Sequence, residues 1–101
     1  MAYGREMASP PERTFFVESY VPALDESTAL ALSSRLRAAV DELRREGLPP
    51  RWLQSFALTE EETYVWILAA RDVEHVALVN ERAATAFDHV VEMSPVELGD
   101  L

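Results

Sequence analysis

Neither cysteine nor lysine occurs in the 101 residues. Without thiols there is no disulfide, no thiolate metal ligand and no cysteine nucleophile. Without a lysine amine, Schiff-base catalysis is excluded. All nine basic residues are arginine, a bias that a GC-rich genome accounts for. Glycine occurs only three times, so there is no glycine-rich phosphate loop. No apolar run approaches the ~20 residues of a membrane span. The opening MAYGREMASPPERT has no apolar signal-peptide core, and the expected location is cytoplasmic. Cations are also scarce against anions. A net charge of −9 works against nucleic acid, whose phosphates need clustered cations, and against anionic membrane surfaces.

What is present is a globular balance of apolar and charged residues, 49% and 27%, in a length suited to one domain. A chain this short buries a modest fraction of its surface, so self-association would add to a thin stability margin. Residues 1–13, with Gly4, Ser9, Pro10 and Pro11 among polar neighbours, are expected to form a flexible tail. Residues 14–95 form the domain, and residues 96–101 a short acidic tail.

TFFVESYVP, residues 14–22, is rich in β-branched and aromatic residues, stops at a proline and is read as a strand. Residues 25–47 are read as a helix. Asp25 or Ser27 caps it, and Leu32, Leu36, Ala39, Val40 and Leu43 recur at helical spacing. Arg44 and Arg45 suit its negative end, and Gly47 followed by Pro49 and Pro50 stops it. Residues 51–59 and 63–70 are read as strands joined over Glu60 to Glu62, a hairpin length and an expected solvated turn. Asp72 caps a second helix running to about Ala84, with Val73, Val76, Ala77 and Ala83 on its inner side, and residues 87–93 form a last strand. The order β-α-β-β-α-β is the ferredoxin-like pattern. Right-handed crossovers put strands one and three in the centre of a four-stranded antiparallel sheet with both helices on one face, an α+β fold.

Side chains alternate across each strand. Phe15, Val17, Ser19, Val21, Leu53, Ser55, Ala57, Val65, Ile67 and Ala69 are the small or mostly aliphatic sets expected under the helices. The opposite sets then line the uncovered face with six of the nine aromatics, Phe16, Tyr20, Trp52, Phe56, Tyr64 and Trp66, together with Gln54, Leu58 and Leu68. Such a face in water forgoes ~25 cal/mol per Å² of apolar burial. A second copy stacked across a two-fold axis is the expected cover.

Glu18 is expected on that face among the rings, partly desolvated and suited to general-base work, with His89 or Tyr64 assisting. Phe16, Tyr20, Trp52, Gln54, Phe56 and Trp66 are the candidate ligand contacts, by stacking and by hydrogen bonding. The same rings also serve as dimer core. His75 is expected at the surface, and Ser55 has no histidine partner at readable spacing.

The segments VES (Val17–Ser19), WLQSF (with Trp52, Ser55 and Phe56), TYVWILA around Tyr64 and DVE at Asp72 resemble a family of small bacterial ferredoxin-like proteins, mostly of unknown function. The family includes a nickel-binding member from actinomycetes. The resemblance runs from Phe15 to Met93 and implies nickel or another divalent metal as a ligand. Family members often carry cysteine where Val65 stands and histidine where Val79 stands, so the metal ligands here are unknown. On fold alone the architecture is similar to dimeric α+β barrels, which include cofactor-free monooxygenases, cyclases and isomerases. The leading expectation is a homodimeric binding domain. Its ligand would be a small apolar or aromatic molecule, between sheet and helices or between subunits, or a metal ion. A cofactor-free enzyme using Glu18 and a purely structural interaction domain are the alternatives.

Overall fold

The computed structural model describes residues 12–94. Its elements are β1 (Arg13–Tyr20), α1 (Glu26–Arg45), β2 (Arg51–Leu58), β3 (Thr63–Ala70), α2 (Val73–Ala83) and β4 (His89–Met93). A 3-10 turn, Thr59–Glu61, joins β2 to β3. The tails expected at 1–13 and 96–101 lie outside the described residues except for Glu12 and Arg13, and Arg13 already opens β1. The sheet order is β2-β3-β1-β4 with every neighbour antiparallel. This is the ferredoxin-like α+β arrangement, with strands one and three central.

Local chemistry explains the helix limits. Asp25 caps α1 by accepting a hydrogen bond from the Thr28 amide at 2.8 Å, and this bond holds its carboxyl below the usual carboxylate range. At the other end the Leu48 amide donates to the Leu43 carbonyl and the Gly47 amide to that of Arg44, both at 3.0 Å. Gly47 sits at φ +93°, where a side chain is strained. Asp72 caps α2 through the His75 amide. That helix ends in the same way, with the Thr85 amide donating to the Asn80 carbonyl at 2.9 Å, but the left-handed position holds Ala84, φ 57°.

Both helices lie on one face. Leu36, Ala39, Val40 and Leu43 of α1 and Val76, Val79 and Ala83 of α2 close a single core over Phe15, Val17, Tyr64, Trp66 and Leu68. On α2 the inner stripe is therefore Val76, Val79, Asn80 and Ala83, whereas Val73 and Ala77 are exposed. His75 is half-buried rather than solvated, and its Nδ1 has no hydrogen-bond partner among the described residues.

The register inverts the expected assignment of β3. Phe15 pairs with Leu68, Val17 with Trp66 and Ser19 with Tyr64, so the even-numbered residues of β3 share the helix face. Tyr64 and Trp66 are 1% and 0% exposed beneath the helices, while Val65, Ile67 and Ala69 stand on the opposite face, where Val65 and Ala69 are buried and Ile67 half-buried. The physical reason is volume. Ala29, Ala39 and Ala83 of the helices share one core with Tyr64 and Trp66, and small residues on one layer of a close-packed core are matched by large ones on the other. In β2 a bulge between Trp52 and Gln54 shifts the register. Trp52 consequently packs against the core with Ser55 and Ala57 on its side, and Gln54, Phe56 and Leu58 stay on the open face.

Candidate functional site

The sheet separates the expected site residues into two groups. Phe16, Glu18, Tyr20, Gln54, Phe56 and His89 lie on the open face, and Trp52, Tyr64 and Trp66 on the helix side. Glu18 and His89 are directly opposite each other across β1 and β4, and Val65 lies opposite Glu18 on β3. The expected ring of aromatics around Glu18 is replaced by an aliphatic strand, because β3 turns Val65 and Ile67 outward. Tyr64 cannot assist Glu18, since the sheet stands between them. Glu18 and His89 alone supply two donors. Among the described residues no group of three or more histidine, aspartate or glutamate side chains converges.

Beneath the helices the rings build a different feature. Trp52 and Trp66 stack with centroids 5.6 Å apart and planes 10° from parallel, and the Arg37 guanidinium lies 5.9 Å from the Trp52 centroid. The Tyr64 hydroxyl shares a 2.6 Å hydrogen bond with Ser33 Oγ, which lies 3.3 Å from Ser55 Oγ. Burial pushes the Tyr64 phenol above its ordinary pKa, while its serine partners and the positive charge of Arg37 pull the other way.

Next to Tyr64, at the end of the sheet where β1 leaves it, a cleft of about 260 Å³ opens between sheet and helices. Leu36, Tyr64 and Trp66 form its base, Leu32 and Arg35 of α1 one wall, and Ser19, Val21 and the Ala84–Ala86 loop the rim. Arg35 Nη2 donates to the carbonyls of Ala83 at 2.8 Å and Ala84 at 2.9 Å, where the last turn of α2 leaves its carbonyls without helical partners. Ser19 Oγ donates to the Ala86 carbonyl at 3.0 Å. These bonds tie the rim loop to both α1 and β1.

Two carboxylates brace the same end. Glu62 is not a solvated turn residue. Its backbone is left-handed, φ 52°, and its carboxylate accepts from the Ala23 amide at 2.6 Å and the Tyr20 hydroxyl at 3.0 Å. Asp88 accepts from the Tyr20 amide at 2.6 Å. Arg35, Ser33 and Asp88 went unread in the sequence, and Glu62 was read only as part of a solvated turn. Arg35 carried at most a faint signal, since it is an exposed residue flanking the apolar stripe of α1, from where a long side chain can reach a neighbouring element.

Comparison with protein-family models, with characterised proteins and with solved structures found no match to this chain.

Proposed function

We propose that the protein is a cytoplasmic homodimer, joined across its open sheet face, in which each protomer holds a small apolar molecule in the cleft between helices and sheet. The observation that carries the dimer is where the exposed apolar side chains gather. Of the eight large hydrophobic residues exposed among the described residues, five (Tyr20, Phe56, Leu58, Val91 and Met93) stand on the open face. A partner of the same kind fits this surface on charge. Two chains of net charge −9 repel, except where acids are sparse, and the interior of this face carries Glu18 beside His89 and otherwise apolar or neutral groups. Four strands of up to eight residues span roughly 25 Å by 19 Å. That outline is about 475 Å² before side-chain relief is counted, against the ~800 Å² per partner of a standard interface.

Supporting the ligand site are the cleft's size, its apolar base and a lining with a single charged residue among the described residues, the pattern of a small-molecule pocket. Sedimentation velocity of the full chain tests the assembly. The expected species has twice the 11.4 kDa of one chain, and Phe56→Glu or Val91→Glu converts it to a folded monomer. A wild-type monomer at micromolar concentration would remove the dimer. The cleft is tested separately, by the binding experiment below.

A further inference from the structure

We infer that the cleft selects an apolar monocarboxylate, with Arg35 as the group that meets the carboxylate. This rests on the cleft being a ligand site, and it adds the chemical class of the ligand.

Among the described residues Arg35 is the one charged residue in the lining, and no carboxylate lines the cleft, although the chain has 18 acidic residues. The guanidinium spends both hydrogens of Nη2 on the Ala83 and Ala84 carbonyls. That leaves the Nε–H and the Nη1 hydrogens, which have no hydrogen-bond or ion-pair partner among the described residues. The other arginines with side-chain partners differ. Arg13, Arg51 and Arg82 are each matched to a glutamate, and Arg44 donates to the Pro50 carbonyl. Arg35, an exposed side chain, is thus positioned by two backbone carbonyls, and no carboxylate pairs with it among the described residues. A guanidinium held in place by neutral acceptors loses little side-chain entropy on meeting an anion. The positive charge of Arg37 reaches Tyr64 at the base, while the carboxylates of Glu62 and Asp88 are tied to Tyr20 at the rim by its hydroxyl and its amide.

The rest of the lining fixes the remainder of the ligand. Val21, Leu32, Ala84 and Ala86 offer methyl surface. The Ser19 hydroxyl is already committed to the Ala86 carbonyl, and the Tyr64 hydroxyl to Ser33. A ligand rich in hydroxyls would find few free partners. One acidic group on a compact ring system matches both the charge and the volume of about 260 Å³.

The test compares 2-naphthoate with neutral 2-naphthamide on the full chain, by amide chemical-shift titration and by tryptophan fluorescence. The expected result is shifts at Ser19, Leu32 and Ala84 to Ala86, with the carboxylate bound at least about tenfold more tightly than the amide, the lower end for a hydrogen bond to a charged group. Added salt weakens only naphthoate, and Arg35→Gln brings the two affinities together. Arg35→Lys retains part of the preference. Equal affinities at the cleft in the wild type overturn the carboxylate assignment and leave the cleft standing as an apolar site. No shift at those amides with either probe overturns the cleft itself. Because the wild-type ratio is decisive alone, the outcome holds even if an Arg35 variant fails to fold.

Discussion

Replacing Tyr64 by phenylalanine removes one hydroxyl from beneath the helices and leaves the ring in place. That hydroxyl is bonded to Ser33 Oγ at 2.6 Å, and Ser33 and Ser55 are close enough, at 3.3 Å, to bond each other when it is gone. No buried group is stranded, so the loss is that of an ordinary hydrogen bond, about 1 kcal/mol, not the larger cost of an unpaired buried donor. For a domain of this size that lowers Tm by about 4–8 °C, read by circular dichroism at pH 7 at one fixed protein concentration. A second signature comes from the proton. Burial raises the folded-state pKa of the phenol above its ordinary value of 10.0, so the fold favours the neutral form. That contribution is complete below pH 10.0 and is lost as pH rises toward the raised value, because the unfolded chain ionises first. The advantage of wild type over Tyr64→Phe should therefore shrink at alkaline pH. Indistinguishable stabilities at pH 7, together with parallel alkaline limbs, would refute the placement of this ring under the helices.

Two further substitutions probe the cleft end of the molecule. Ala84→Gly relieves a left-handed alanine at φ 57°, worth about 1 kcal/mol, against roughly half of that in added unfolded-state entropy. A net gain of about 0.5 kcal/mol in urea unfolding is expected, and a loss would contradict the backbone assignment. Glu62→Ala removes the acceptor of the Ala23 amide and the Tyr20 hydroxyl. At this half-buried position about 1 kcal/mol of stability is at stake. The more telling readout is faster hydrogen exchange at the Ala23 amide, which unchanged protection would contradict.

Element order and helix ends are written locally. Asp25 and Asp72 mark the N-termini, Gly47 stops α1, and the apolar spacing of Leu36, Ala39, Val40 and Leu43 turns one side of α1 inward, all without reference to distant residues. The β-α-β-β-α-β order then leaves few topologies, and the central placement of β1 and β3 follows from crossover handedness. Strand alternation likewise sorted each strand into two sets of side chains. It did not say which set of β3 faces the helices. That depends on the pairing of Val17 with Trp66 and on how much space the alanines of the helices leave, and both are relations between residues about fifty positions apart or belonging to different layers. The bulge at Leu53 is equally invisible, because one extra residue in β2 moves Trp52 to the helix side without changing the composition of the strand. The apolar character of the open face survived the inversion, since Ile67 and Val65 replaced the rings assigned there, whereas Tyr64 was parted from Glu18. The cleft belongs to tertiary structure alone. Arg35, Tyr64 and Ala84 become neighbours only when α1, β3 and the end of α2 close on one another, and no spacing along the chain encodes that meeting.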